Sequence, residues 1–170
     1  MDIMKFNKSN NKIKIQRLID KTKQEKLAEE LLQTAESGFE NGSPWKNKHF
    51  YHTLEAVNSV IFTATTEEEN KIVGLLIASI SVGEADIYMV VVNEEYKQNR
   101  IGYQLFEHLI EHCRKEEVES IFLEVRLSNK PAIGLYESLG FKRLNVRKAY
   151  YSSPIEDAIV MHFKVEEEAV

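Results

Sequence analysis

Apolar residues recur along this chain in two rhythms, and the switch between them marks its elements. Asp86-Ile-Tyr-Met-Val-Val-Val92 is a near-continuous β-branched and aromatic run, which reads as a strand buried on both faces. Beyond the polar stretch Asn93 to Gly102, the residues Ile101, Leu105, Leu109 and Cys113 return at helical spacing, flanked by Phe106 and Ile110. Glu107, His108, Glu111, Arg114 and Lys115 fall on the opposite, wet face. A strand, a polar loop and a helix thus follow one another without a break. The first N–H groups of a helix have no acceptor within it, so such a loop either holds an anion such as a pyrophosphate or is a plain connection.

The same rhythms order the rest. Ile13 to Ile19 predicts a first strand, after an asparagine-rich start over residues 1–12 that reads as loose. Asp20 or Thr22 begins a helix with the stripe Leu27, Leu31, Leu32 and Ala35, closing near Gly38. Asn41-Gly-Ser-Pro44 forms a loop before a second helix carrying Trp45, Phe50, Leu54 and Val57. Val60 to Thr65 and Ile72 to Ala78 predict a hairpin around the charged turn Glu67 to Lys71. Ser120 to Arg126 alternates as a strand; Ser128-Asn129 can cap the next helix, Pro131 suits its first turn and Gly140 ends it. Phe141 to Arg147 and Asp157 to Val165 predict two last strands, separated by the polar loop Tyr150-Tyr-Ser-Ser-Pro154. Glu166-Glu-Glu168 reads as a solvated acidic end.

Composition narrows the function classes. At 170 residues and 43% hydrophobic, without repeat or linker, the chain is expected to be one domain over residues 1–170. It has no apolar run of membrane-spanning length, and its start lacks the apolar core of a secretory signal, so a cytoplasmic protein with no membrane partner is expected. A net charge of −5 argues against general nucleic-acid binding and is compatible with a basic peptide partner. Cys113, on an apolar helix face, reads as packing rather than nucleophile. His108 and His112 are four apart, as zinc ligands can be, but Leu109 stands where a zincin has its glutamate and no third ligand is evident; no metal is expected. His49 and His52 read as surface histidines.

The stretch Leu123-Glu-Val-Arg-Leu-Ser-Asn-Lys-Pro-Ala-Ile-Gly-Leu-Tyr-Glu-Ser-Leu-Gly-Phe141, together with Glu156-Asp-Ala-Ile-Val-Met161, closely resembles the GCN5-related N-acetyltransferases (GNAT). Within them it is similar to the RimI-type enzymes, which acetylate the N-terminal alanine of a small-subunit ribosomal protein. The likeness extends from Trp45 to Phe163. It implies an α/β (α+β) fold with a mixed, mainly antiparallel sheet splayed in the middle and helices on both faces. It also implies acetyl-CoA as co-substrate, and a ribosomal protein N-terminal peptide as acceptor with no direct contact to nucleic acid.

Site residues carry over position by position. The glutamate of Leu-Glu-Val-Arg is Glu124, implied as general base, and the tyrosine of Leu-Tyr-Glu-Ser is Tyr136, implied as the acid for the departing thiolate. Read from the residues alone, Glu124 lies in an otherwise apolar strand on the side of Phe122 and Arg126, where a salt bridge to Arg126 or Lys142 is the competing role. A packed core tyrosine is the competing role for Tyr136. The likeness further implies that the backbone of Val90, Val91 and Val92 meets the pantetheine arm, that Gln98, Asn99, Arg100, Ile101, Gly102 and Tyr103 wrap the pyrophosphate, and that Asn129 contacts the cofactor. Trp45 matches a segment beside the acceptor, or is a core aromatic. Arg100 departs from the family by replacing the first glycine of the phosphate loop, and is expected to lay its side chain along the rim while Gly102 keeps the closest approach clear. Met89 and Glu94 are lesser departures.

Chemistry favours an α-amine acceptor. Near neutral pH an α-amine of pKa ~8 is about a tenth neutral, whereas a lysine amine of pKa ~10.4 is neutral in about one molecule in two thousand. A small amine or another peptide, and a non-catalytic acyl-CoA-binding regulator, are the other functions open to this sequence.

Overall fold

A computed structural model of the chain describes residues 12–166. The start expected to be loose, residue 12 apart, and the end of the acidic tail beyond Glu166 lie outside the described residues. Eleven elements follow in order: β1 (Ile13–Arg17), α1 (Gln24–Gly38), α2 (Asn47–Glu55), β2 (Ser59–Thr66), β3 (Ile72–Ser81), β4 (Glu84–Val92), α3 (Ile101–Lys115), β5 (Ser120–Arg126), α4 (Lys130–Leu139), β6 (Lys142–Ser152) and β7 (Ile155–Lys164). The strands form one sheet in the order β1-β2-β3-β4-β5-β7-β6. Only β4 and β5 pair in parallel; every other neighbour is antiparallel.

Helices cover both faces of this sheet. On one, α1 and α2 bury Ala28, Leu31, Ala35, Phe50 and Leu54 against Ile61, Leu75 and Ile77. On the other, Ile101, Leu105, Phe106, Leu109, Ile110 and Cys113 of α3, with Ile133 of α4, close over Phe62, Leu76, Ile121 and Leu123. Each fully buried side chain of this size stabilises the fold by about 1.5–3 kcal/mol. Local signals set the helix ends. Asn129 Oδ1 accepts from Ala132 N at 3.2 Å, Pro131 occupies the first turn of α4, and Gly140 ends it at φ 102°, a left-handed conformation that glycine adopts without Cβ strain.

Strand β4 is not buried on both faces along its length, as its composition suggested. Asp86 and Tyr88 are exposed. The pairing with β3 runs Ala78↔Ile87 and then Ile77↔Met89, so Tyr88 is an extra residue, a β-bulge. Side chains therefore change faces at Tyr88: Ala85 and Ile87 join the α3 side, whereas Met89 and Val91 join the α1 side.

Three further boundaries differ from expectation. The first strand stops at Arg17, and Ile19 is exposed. Helix α2 ends at Glu55 with Ala56 extended, leaving Val57 in solvent instead of on the apolar stripe. Strand β6 continues through Tyr150, Tyr151 and Ser152, so the expected loop shrinks to the turn at Ser153-Pro154. Asp157 explains the last case. Its carboxylate accepts from Ala149 N at 2.9 Å and pairs with Lys148 at 2.8 Å, holding a bulge between Arg147 and Tyr151 after which pairing resumes.

Candidate active site

β4 and β5 pair only from Glu84↔Ser120 to Ile87↔Leu123; past the bulge they part, opening a cleft. Asn93 N donates to Val73 O at 2.8 Å, and with strand alternation Val91 and Met89 also turn their polar backbone groups toward β3. The intervening residues, Val90 and Val92, turn theirs toward the cleft. Of the three valines, two thus leave backbone polar groups turned to the cleft and Val91 holds the sheet. α1 presses on the end of this strand: a Cβ on Gly38 would lie 2.5 Å from Val92 O.

At the mouth, Asn93 Oδ1 accepts from Glu95 N at 2.9 Å and starts a single 3-10 turn, Glu94–Tyr96. Lys97 pairs with Glu94 rather than pointing inward. Asn99 braces the loop from within, donating Nδ2 to Tyr96 O at 3.1 Å and to Lys97 O at 3.2 Å. Gln98 and Arg100 both take left-handed backbone, φ 63° and 58°. Arg100 thus adopts the conformation for which glycine is the usual residue, and its guanidinium lies 4.7 Å from the Tyr103 ring centroid, along the outside of the helix. The N–H groups of Ile101, Gly102 and Tyr103 open α3 at this point and have no acceptor inside the helix. A Cβ on Gly102 would meet Leu135 Cδ2 of α4 at 3.4 Å, an ordinary contact distance.

The opposite wall is made of side chains. Ile121, Leu123 and Val125 of β5 point into the core, leaving Phe122, Glu124 and Arg126 half-buried on the other face. Glu124 pairs with neither Arg126 nor Lys142. Its partner is Arg147 of β6, with Nη1 3.4 Å from Oε1. Arg126 is instead held by Glu156 Oε2 at 3.1 Å and by the carbonyls of Pro154 and Ser153 at 3.2 and 3.3 Å. Glu156 also accepts from Ser128 N at 2.6 Å, and hydrogen bonding from the Ser128 side chain first and its backbone second, with Arg126, holds its carboxyl below the usual range.

Tyr136, on α4, packs its ring 5.3 Å from Phe106 and 6.1 Å from Phe141. Its hydroxyl makes no hydrogen bond among the described residues. Burial, and then Tyr151 beside it, push the phenol up to about 12. Tyr151 was missed in the sequence. Its ring lies 4.1 Å beneath the Arg126 guanidinium, and burial, with Tyr150, Glu124 and Glu156 nearby, pushes it up to about 12 against the pull of Arg126. The Glu124 carboxylate disfavours ionisation of Tyr151, and Tyr151 in turn disfavours that of Tyr136. The only local signal was a pair of tyrosines ahead of a turn. Asn129, exposed at the start of α4, uses its carbonyl as the cap and keeps its amide toward solvent.

Other candidates lie elsewhere. Trp45 packs edge-on against Phe50 at 5.4 Å in the α1–α2 core. His49 Nδ1 accepts from Lys46 N at 2.9 Å, capping α2. His108 is hydrogen-bonded to Gln104 O at 2.9 Å, and both His108 and His112 lie beside Phe62. No group of three metal-binding side chains occurs among the described residues. Cys113 is buried, which pushes its thiol up to about 12.

An open strand with a helix N-terminus at its end and a glutamate and a tyrosine on the elements opposite has a counterpart among known proteins. The family model described as "Acetyltransferase (GNAT) family" matches residues 24–141. The chain belongs to the GNAT acetyltransferase family. Among curated relatives, this acetyltransferase is 36% identical over 120 residues to the [ribosomal protein bS18]-alanine N-acetyltransferase of Escherichia coli, covering 69% of this chain and 79% of that one. It is 34% identical over 125 residues to an N-alpha-acetyltransferase of Saccharolobus solfataricus, covering 66% and 73%. Among solved structures, the ribosomal-protein-S18-alanine N-acetyltransferase from Escherichia coli superposes with a TM-score of 0.80 at 28% identity, over 93% of this chain and 97% of that one. The NatC complex bound to Gag peptide and CoA shares the fold, with a TM-score of 0.78 at 19% identity over 91% and 99%.

Proposed function

We propose that this acetyltransferase moves an acetyl group from acetyl-CoA to the α-amine of an N-terminal alanine, and that its acceptor is a small-subunit ribosomal protein of the bS18 kind. The observation that carries the reading is the likeness to the Escherichia coli bS18-alanine enzyme over 79% of that protein's length. A cytoplasmic setting follows from such an acceptor, and among the described residues no helix is long and apolar enough to cross a membrane.

Acetyl-CoA supplies an activated thioester carbonyl. The residues fit such a group: the cleft-facing polar groups of Val90 and Val92 can pair with an amide-bearing arm, the N–H groups of Ile101, Gly102 and Tyr103 suit a pyrophosphate, and the exposed Asn129 at the start of α4 would add a further polar contact. Glu124 takes the proton that the acceptor ammonium must lose for its lone pair to attack, directly or through a water. Tyr136, a phenol and so protonated at neutral pH, gives its proton to the sulfur as the C–S bond breaks; burial extends its protonated range upward. Arg126, fastened to Glu156, stacks on the Tyr151 ring and fixes it beside this site.

Thiol release should be measured from acetyl-CoA with a peptide bearing the ribosomal N-terminus and, separately, with a panel of small amines. The reading expects the peptide to be preferred and the label to sit on its α-amine by mass spectrometry. Preference for a small amine would move the acceptor class, and binding of acetyl-CoA without any transfer would make the protein an acyl-CoA-binding regulator.

A further inference from the structure

Two arginines flank Glu124, and they are held very differently. Arg126 makes three hydrogen bonds, to Glu156, Pro154 and Ser153, and stacks on Tyr151. Arg147 makes one ion pair, through a single nitrogen at 3.4 Å from Glu124, and its side chain is 54% exposed against 29% for the glutamate. It reaches Glu124 from two strands away. In the register both Arg147 and Arg126 stand opposite Ala158 of the intervening β7, so all three share a face, and the alanine has no atoms beyond Cβ to block the crossing. The guanidinium also has a second neighbour, the Tyr150 ring, with its centroid 5.4 Å from Cζ.

We propose that Arg147 is a displaceable latch: its guanidinium occupies the place on Glu124 that the acceptor's ammonium takes on entry, and then swings aside toward Tyr150. A base that removes a proton from an ammonium needs a free oxygen within hydrogen-bonding reach of it, and Arg147 covers one of the two. Only another cation can exchange with it at no cost in charge pairing. A neutral chain end has no charge to offer Glu124 and leaves the latch in place. This rests on the α-amine acceptor proposed above. Arg147 is a positioning residue here; it touches the base, not the reacting carbonyl.

The test uses the full chain loaded with CoA, titrated calorimetrically with a short peptide beginning in alanine and with its N-acetylated twin. Arg147→Gln should bind the amine peptide about two- to fivefold more tightly than the unaltered protein, the span expected for an exposed ion pair, and bind the acetylated twin with unchanged affinity. The gain should shrink as salt is raised, and Arg147→Lys should keep the unaltered values. In turnover, KM for the peptide should fall while kcat holds. Equal or weaker binding of the amine peptide to Arg147→Gln, or an equal gain for the acetylated twin, overturns the latch. Amine-dependent binding that Arg147→Gln tightens, with no thiol release by the unaltered protein, would sink the proposed activity and leave the latch standing.

Discussion

On the β4 wall of the cleft, the groups offered to a ligand are main-chain ones: the outward polar groups of Val90 and Val92 and the first N–H groups of α3. On the β5 wall they are side chains, Glu124, Tyr136, Tyr151 and Arg126, each placed by a different element or a different contact. A main-chain wall tolerates exchange of residues as long as the backbone path holds. A side-chain wall does not. The contrast explains how arginine can stand at a glycine position in the phosphate loop: the backbone keeps the left-handed turn, and the guanidinium leaves along Tyr103.

The largest effect expected is on the side-chain wall. Glu124→Gln keeps size and removes basicity, so kcat should fall by a factor of about a hundred to ten thousand, with acetyl-CoA affinity by calorimetry little changed. Near-normal turnover would mean that the two walls do not divide the work as described. Tyr136→Phe should cost about a hundredfold in kcat with an unaltered melting curve, because the ring contacts to Phe106 and Phe141 survive. With its phenol at about 12, Tyr136 keeps its proton where an ordinary phenol would titrate near ~10. The rate should therefore climb with pH as the acceptor α-amine loses its proton around ~8, with no decline from Tyr136 up to about pH 11.

The main-chain wall should give way only to a change that moves backbone. Gly38→Ala puts a Cβ against Val92 O and the Val91 side chain, and should lower stability by about 1–3 kcal/mol while weakening acetyl-CoA binding, seen together in melting and calorimetry. Arg100→Gly should do least. It relieves a left-handed arginine and removes a screened charge, so acetyl-CoA affinity should change by less than about tenfold and the melting temperature should rise slightly. A protein that binds acetyl-CoA only after this substitution would show the arginine to block the loop.

Sequence reading served the two walls unequally. β5 and α4 were legible almost to the residue, because Asn129, Pro131 and Gly140 are local signals for local geometry. The motif that singles out Glu124 and Tyr136, the proposed base and acid, was legible. The partner of Glu124 was not, since it depends on the order β5-β7-β6, which places Arg147 across a strand that comes later in the chain. Tyr151 went unseen for a related reason: the bulge that aims it is fixed by Asp157, and a tie of that kind leaves no periodicity. The apolar run of β4 hid its own frame change, because valine and methionine suit either face.

That frame change makes the opening of the cleft separable from the core. If Tyr88 were deleted, Ile87 and Met89 would still stand opposite Ala78 and Ile77, and plain alternation would still send Met89 and Val91 to the α1 side. The core would keep its apolar side chains while the strand lost the bend that turns it away from β5. The cleft thus hangs on a residue that the packing does not need, so a deletion at this point should be met by loss of activity before it is met by failure to fold.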